Sequence, residues 1–305
     1  MKWNNLKVGL ALGGGGVRGF SHIGVLKILE QERIDVNIIV GTSAGSLIGG
    51  AYASGQSPAE IQAKVEAYLR SPEFNASTLK SIGAAVSARK KSLLTRTRDL
   101  LTSRYYFLRT FFSPAVLPSD DFNSLIHYFI PDLDIRQTRI PFRAVATDLI
   151  TGGKIVFSEG SLRTAVLASC AVPGAVEPVR QGQWLLADGG ITSLVPVHAT
   201  REAGADVVIA VTVDRELPPP EVETAQAIFY RAGEITASTL EEEELRDADV
   251  VIRPKVGGLH WMDYSRAGDL IGKGEEAARE ALGAIRSSLP LYHRIVKFAN
   301  RFLPE

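Results

Sequence analysis

Val36-Asn37-Ile38-Ile39-Val40-Gly41-Thr42-Ser43-Ala44-Gly45 carries an apolar run into a G-x-S-x-G turn. Such a stretch reads as a buried strand that bends sharply into a helix and lifts the serine hydroxyl at the bend. A serine hydroxyl is a weak nucleophile and needs a neighbouring base. The usual base is a histidine oriented by an acid. The chain has 5 histidines, His22, His127, His198, His260 and His293, and none falls in a loop after an expected strand. Far downstream, Trp184-Leu185-Leu186-Ala187-Asp188-Gly189-Gly190 brings another strand to an aspartate followed by glycines. A serine–aspartate pair, Ser43 with Asp188, is therefore the chemistry to test.

Working outward, residues 6–12 are almost wholly apolar, like a parallel strand buried on both faces. Glycines 13–16 end it. Phe20, Ile23, Leu26 and Leu29 then repeat at three-residue spacing, which predicts a helix over 19–32. Residues 36–40 read as a second buried strand and 44–53 as a helix of small residues. Ser57-Pro58-Ala59-Glu60 spells an N-cap, a first-turn proline and a capping-box partner. Further strands are expected at 141–147, 154–157, 184–187, 206–213 and, more weakly, 250–253, with helices at 119–131 and 161–169. Pro218-Pro219-Pro220 marks a linker before a long polar helix, whose Glu241 to Glu244 run reads as a solvated face. Strands alternating with helices predict a three-layer α/β/α sandwich around a mostly parallel central sheet. The expected organisation is a single domain over 1–305. It comprises a motif-bearing core at about 8–213, an insertion or lid candidate at 80–118 and a mainly helical extension at 218–305.

With 305 residues, 45% hydrophobic and 22% charged, the chain has an ordinary globular composition. A formal net charge of +0 gives no overall attraction to nucleic acid. The lone Cys170 excludes an intramolecular disulfide and a cysteine-rich zinc site, and its apolar setting predicts a buried, inert thiol. Near the N-terminus the apolar stretch is too short for a signal peptide. No stretch reaches the roughly 18 apolar residues of a spanning helix. The expected location is cytoplasmic, with candidate peripheral contact at the inner face of a membrane.

Gly14-Gly15-Gly16-Val17-Arg18-Gly19 fits G-x-G-x-x-G between a strand and a helix. A dinucleotide site would want an acid at the end of the next strand, and a phosphate loop would close on Gly-Lys-Ser/Thr; both are missing. An anion hole fits instead, because glycines can turn successive backbone N–H groups inward at a helix N-terminus. Arg18 would keep that loop electropositive or pin it through a nearby carbonyl. His22 is the only histidine placed near the loop. No metal and no cofactor is expected, since no His/Cys/Asp/Glu cluster has ligand spacing.

Taken together, Gly13-Gly14-Gly15-Gly16-Val17-Arg18-Gly19, Gly41-Thr42-Ser43-Ala44-Gly45 and Asp188-Gly189-Gly190 resemble the patatin-like phospholipases, in particular bacterial members related to neuropathy target esterase. The resemblance extends through Ala146-Thr147-Asp148-Leu149, Ala168-Ser169-Cys170-Ala171-Val172-Pro173-Gly174 and Gly204-Ala205-Asp206. It implies a patatin-like, modified α/β-hydrolase-like sheet and a serine lipid acyl hydrolase. It further implies Ser43 as nucleophile, Asp188 as general base and Gly14, Gly15 and Gly16 as the oxyanion loop. Gly19, Gly41, Gly45, Gly189 and Gly190 complete the motifs. Asp148, also at a strand end, is a rival acid whose other reading is a turn residue.

The expected partner is a lipid or another acyl ester, with no nucleic acid. Basic and aromatic residues interleave over 89–112, and an amphipathic pattern occupies 291–303; both are candidate membrane contacts. The competing functional class is a non-catalytic lipid-binding or regulatory adaptor that keeps the same fold. The sequence leaves head group, acyl length and oligomeric state open.

Overall fold

The computed structural model describes residues 6–81, 115, 117–213, 225–259 and 262–289. Most of the 80–118 insertion, the proline linker and both candidate membrane contacts lie outside them. β1 (Val8–Leu12) is buried along its whole length, as its apolar composition requires. It pairs in parallel with β2 (Ile38–Thr42) and β7 (Val207–Val211). β2 continues in parallel to β3 (Phe142–Asp148), and β7 to β8 (Val250–Ile252). The remaining pairings are antiparallel. β4 (Lys154–Phe157) and β6 (Trp184–Asp188) are antiparallel to β3, and β5 (Val179–Gln181) to β6. The result is an eight-stranded sheet, parallel through its centre and mixed at one side.

Alternate side chains of each strand feed opposite faces. Leu10, Leu12 and Ile39 join one apolar cluster, while Ala11 and Val40 join a second. Over the first face lie α1 (Ser21–Gln31), α2 (Ala44–Ala53), α3 (Pro58–Arg70), α4 (Pro72–Ala76), α5 (Ser119–Phe129), α6 (Leu162–Ser169) and α9 (Ala267–Ser288). The second face is covered by α7 (Val197–Glu202) and α8 (Ala225–Leu245). This is the expected α/β/α layering. The capping box before α3 forms as read: the Glu60 N–H donates to Ser57 Oγ at 3.2 Å, and the Ser57 N–H to Glu60 Oε2 at 2.7 Å.

The register on β3 positions everything that follows. β2 pairs along Phe142 to Val145, β4 along Ala144 to Thr147, and β6 along Ala146 to Asp148. Because β4 overlaps both of the others, it must occupy one edge of β3 while β2 and β6 share the opposite edge. Those two strands therefore meet end to end. Thr42 stands opposite Val145, and Asp188 opposite the next residue, Ala146.

The glutamate run departs from its solvated reading. Glu241 and Glu244 are 2% and 3% exposed, whereas Glu242 and Glu243 reach outward to Arg253 and Arg246. Helical periodicity sends residues three apart to the same side, so half of the run turns into the protein. No helix among the described residues is long and apolar enough to cross a membrane.

α9 crosses α1 at two glycines. A Cβ on Gly24 would lie 2.0 Å from the Ile271 carbonyl oxygen, and one on Gly274 would lie 1.8 Å from that of Ser21. Backbone packs on backbone there, with no flexible side chain to yield. We therefore expect Gly274→Ala to cost about 1–3 kcal/mol through overpacking. Gly283→Ala, exposed on the same helix with nothing within 4 Å, should be neutral or gain up to about 1 kcal/mol. Thermal melts of the two variants check this; equal effects would contradict the crossing.

Candidate active site

Ser43 follows β2 directly and precedes α2 with φ 54° and ψ −124°. A non-glycine residue in this region carries strain of roughly 1–3 kcal/mol and needs its surroundings to hold it. They do so from both sides. The Ser43 N–H donates to Ser169 Oγ at 2.9 Å. Its carbonyl accepts from Ser46 Oγ at 2.7 Å, the Ser46 N–H at 2.8 Å and Cys170 Sγ at 3.1 Å. The flanking motif glycines make room. Gly41 ends against the backbone of Gly45 and Ser46, and a Cβ on Gly45 would lie 2.1 Å from the Leu12 carbonyl oxygen. Cys170 is thus a buried thiol, as expected, and it also fastens the turn. Burial pushes its pKa up, and the nearby Asp188 charge pushes it further.

Asp188 ends β6 where β2 ends, so the pair separated in sequence is adjacent in space. A Cβ on Gly189 would sit 2.3 Å from the Val145 carbonyl oxygen and 3.1 Å from Thr42 Cγ2, so the aspartate turn is seated on β3 beside the end of β2. The Gly190 N–H donates to Asp188 Oδ1 at 2.7 Å. Oδ2 is buried and has no hydrogen-bond partner of good geometry among the described residues. Burial raises the Asp188 pKa to about 6, while the nearby Ser43 hydroxyl and the Gly190 N–H pull the other way.

The glycine loop is pinned over this pair. The Gly13 N–H donates to the Val211 carbonyl and the Gly14 N–H to the Leu194 carbonyl, both at 2.9 Å. Gly15 and Gly16 open the 3₁₀ turn Gly16–Phe20, whose first N–H groups have no acceptor within the turn. Arg18 Nε donates to the Gly15 carbonyl at 3.1 Å, which is the pinning role its position suggested. Gly19 packs against Ala44, next to the serine. His22 Nε2 lies 2.8 Å from the Gly13 carbonyl oxygen. Burial lowers the His22 pKa to about 4, so the ring is neutral near pH 7. A carbonyl only accepts, so Nε2 carries the proton and clamps the start of the loop.

An apolar cavity opens from Ser43. Phe20, Leu47, Val65, Tyr68, Phe122 and Phe129 line it together with the serine, and Tyr264 joins them from the C-terminal part of the chain. Leu79 and Leu117 also face it. The rival acid Asp148 is spent locally. Its carboxylate accepts from the Thr151 hydroxyl at 2.7 Å, from the Ile150 and Thr151 N–H groups, and from the Leu185 N–H at 3.1 Å. These bonds hold its pKa below the usual range, the Thr151 hydroxyl foremost. No group of three His, Cys, Asp or Glu side chains among the described residues could hold a metal ion.

Several supporting residues carried no signal by themselves. Ser169 and Cys170 sit at the end of an apolar helix, and Ser193 in an ordinary turn. Ser169 stood out only as part of the motif Ala168 to Gly174.

The pattern of the patatin-like phospholipases matches residues 10–201. An uncharacterized NTE family protein of Mycobacterium tuberculosis is 32% identical over 208 residues, 68% of this chain and 49% of that protein. Patatin-like phospholipase domain-containing protein 6 of Homo sapiens is 32% identical over 209 residues, 68% of this chain and 13% of that protein. The chain thus spans about half the length of the mycobacterial relative. Among solved structures, VipD from Legionella pneumophila aligns over 92% of this chain and 67% of its own, with TM-score 0.47 and 14% identity. The family match takes in the glycine loop, the serine turn and the aspartate turn within one span, and the chain belongs to the patatin-like phospholipase family.

Proposed function

We propose that the protein is a serine acyl hydrolase that cleaves carboxylic esters of phospholipids or lysophospholipids through a Ser43–Asp188 dyad. The observation that carries this reading is the strained Ser43, in the wall of an apolar cavity, beside a buried, base-tuned carboxylate. The cavity suits an acyl chain, because its walls offer aliphatic and aromatic side chains to a hydrocarbon.

In the first step Asp188 takes the Ser43 hydroxyl proton as Oγ attacks the ester carbonyl carbon. The carbonyl oxygen gains the electron pair and becomes an oxyanion. Backbone N–H groups of Gly15 and Gly16 receive it, while Gly14 braces the loop through Leu194. Each such donor contributes roughly 3–4 kcal/mol to the transition state. Collapse of the tetrahedral species expels the alcohol, which collects the proton from Asp188. Water then attacks the acyl-Ser43 by the same route, with Asp188 again as base, and releases the fatty acid. A carboxylate in water would be too weak a base for this work; burial brings Asp188 into the operating range.

Ser43→Ala and Asp188→Asn should each abolish hydrolysis of a short-chain nitrophenyl ester and of phospholipid. The double variant should be scarcely worse than either single one, since the two groups act as a unit. Near-wild-type turnover by folded Asp188→Asn would exclude the dyad, and turnover unaffected by Ser43→Ala would favour a non-catalytic lipid-binding role.

The pH profile follows from the same carboxyl group. Only the ionised base accepts the proton, so kcat/KM should fall about tenfold per pH unit below a midpoint near 6. Stability should move oppositely. Asp188 holds its proton more tightly folded than unfolded, so its contribution is complete below the unfolded value of 3.8 and is lost as pH rises through about 6. At pH 8 the Asp188→Asn protein should therefore be the more stable, by up to about 3 kcal/mol, and the gap should close towards pH 4. Paired melts at the two pH values measure it.

A further inference from the structure

The aspartate turn and the glycine loop are both held by a helix that lies beyond the family match. α8 begins after residue 201, and Glu241 and Glu244 project from it into the protein. A buried carboxylate is expensive unless it is paired or hydrogen-bonded, so the partners of each are informative. Glu244 accepts from Ser193 Oγ through both Oε1 and Oε2 at 2.8 Å.

Ser193 is the junction of the site. Its N–H donates to the Gly189 carbonyl at 2.8 Å, closing the turn that carries Asp188. Its own carbonyl accepts from the hydroxyl of Thr42, the residue before the nucleophile, at 2.9 Å. The next residue, Leu194, accepts the Gly14 N–H at 2.9 Å. Glu241 makes the matching contact on the neighbouring strand end by accepting from the Thr212 hydroxyl. Val213 follows, and Gly15 lies so close that a Cβ there would sit 2.6 Å from Val213 Cγ2. Two carboxylates on one helical face thus reach both supports of the loop over Ser43.

We propose that Glu244, assisted by Glu241, is a positioning residue of the active site, anchoring the 188–194 turn so that Asp188 faces Ser43 and the glycine loop keeps its place. The proposal rests on reading Ser43 and Asp188 as the hydrolytic pair. Two further elements bring charged groups to Glu244. Lys154 Nζ from β4 stands 3.9 Å away, and His198 Nδ1 from α7 stands 3.5 Å away. His198 Nε2 in turn meets Asp247 Oδ2 at 2.7 Å, and Glu202 adds a like charge nearby. Burial raises the Glu244 pKa above the usual carboxylate range, while the Ser193 hydroxyl, Lys154 and His198 pull it back towards the carboxylate form that the anchor uses.

The test compares Glu244→Leu, which removes the acceptor, with Glu244→Gln, which keeps one, and with Ser193→Ala, which removes the donor. Glu243→Gln, on the exposed side of the same helix, is the control. On a nitrophenyl ester, Glu244→Leu and Ser193→Ala should each lower kcat about tenfold with KM unchanged, as expected for a displaced catalytic group. Their acid limbs should move to lower pH, because a loosened turn admits water to Asp188. Glu244→Gln should restore most of kcat, and the Ser193→Ala/Glu244→Leu double variant should be no worse than the poorer single one, since both cut the same bond. Amide hydrogen exchange supplies a readout that needs no turnover. In Glu244→Leu the Gly14 and Ser193 amides should exchange faster, while those of α1 keep wild-type rates.

Wild-type kcat, acid limb and exchange in folded Glu244→Leu and Ser193→Ala would overturn the proposal. So would exchange that rises equally in α1, which marks a general loss of stability. If Glu244→Leu does not fold, Ser193→Ala alone decides by the same measures. A wild-type protein that cleaves no ester would remove the hydrolase reading, and the exchange comparison would still decide the anchoring.

Discussion

β3 offers a single edge to two strands that arrive from opposite directions, and the chemistry of the molecule depends on that arrangement. β2 covers its first half in parallel and β6 its second half antiparallel, which leaves their C-terminal ends facing each other. A strand pairing fixes residues to within a fraction of an ångström along its length, so the distance between the two ends follows from register and not from any contact between them. A one-residue slip of β6 would turn Asp188 to the other face of the sheet. The glycine at 189 enforces the fit, because it lies on the Val145 carbonyl where no side chain has room.

Around this junction the protein keeps two unfavourable groups. Ser43 is held in a backbone conformation that its type avoids, and Asp188 is a carboxylate largely withdrawn from water. Each cost is met by neighbours: Ser169 and Cys170, from far along the chain, under the serine, and the local Gly190 N–H at the aspartate. On the proposed dyad, stability and reactivity oppose each other at the same residues, as is common where strain serves a mechanism.

Much of this was legible in the chain because its signals are local. Apolar runs with glycine breaks gave β1, β2, β6 and β7, and the three short motifs contained the serine, the aspartate and the loop. What stayed hidden depends on distance and burial. β5 has exposed Arg180 and Gln181, so no apolar pattern announces it. Strand direction leaves no trace in hydropathy, and the antiparallel side of the sheet was invisible for that reason. Glu241 and Glu244 have the same chemistry as Glu242 and Glu243 between them; only the helix phase relative to the sheet separates anchor from surface. Ser193 would look like any turn serine without the glutamate above it.

The order in which these parts leave the ribosome has its own consequence. The bond from Thr42 to Ser193 spans 151 residues, and β1 at the centre of the sheet pairs with β7 near the end of the core. Translation proceeds at roughly 5–20 residues per second, so the serine turn waits many seconds for its partners. During that interval the nascent chain has Ser43 without Asp188 beside it and a glycine loop without the strand that supports it. Assembly that depends on such distant pairings is slow and cooperative. On the proposed dyad, the serine is thereby unarmed until the later strands have emerged and paired, and acquires its reactivity only with the fold.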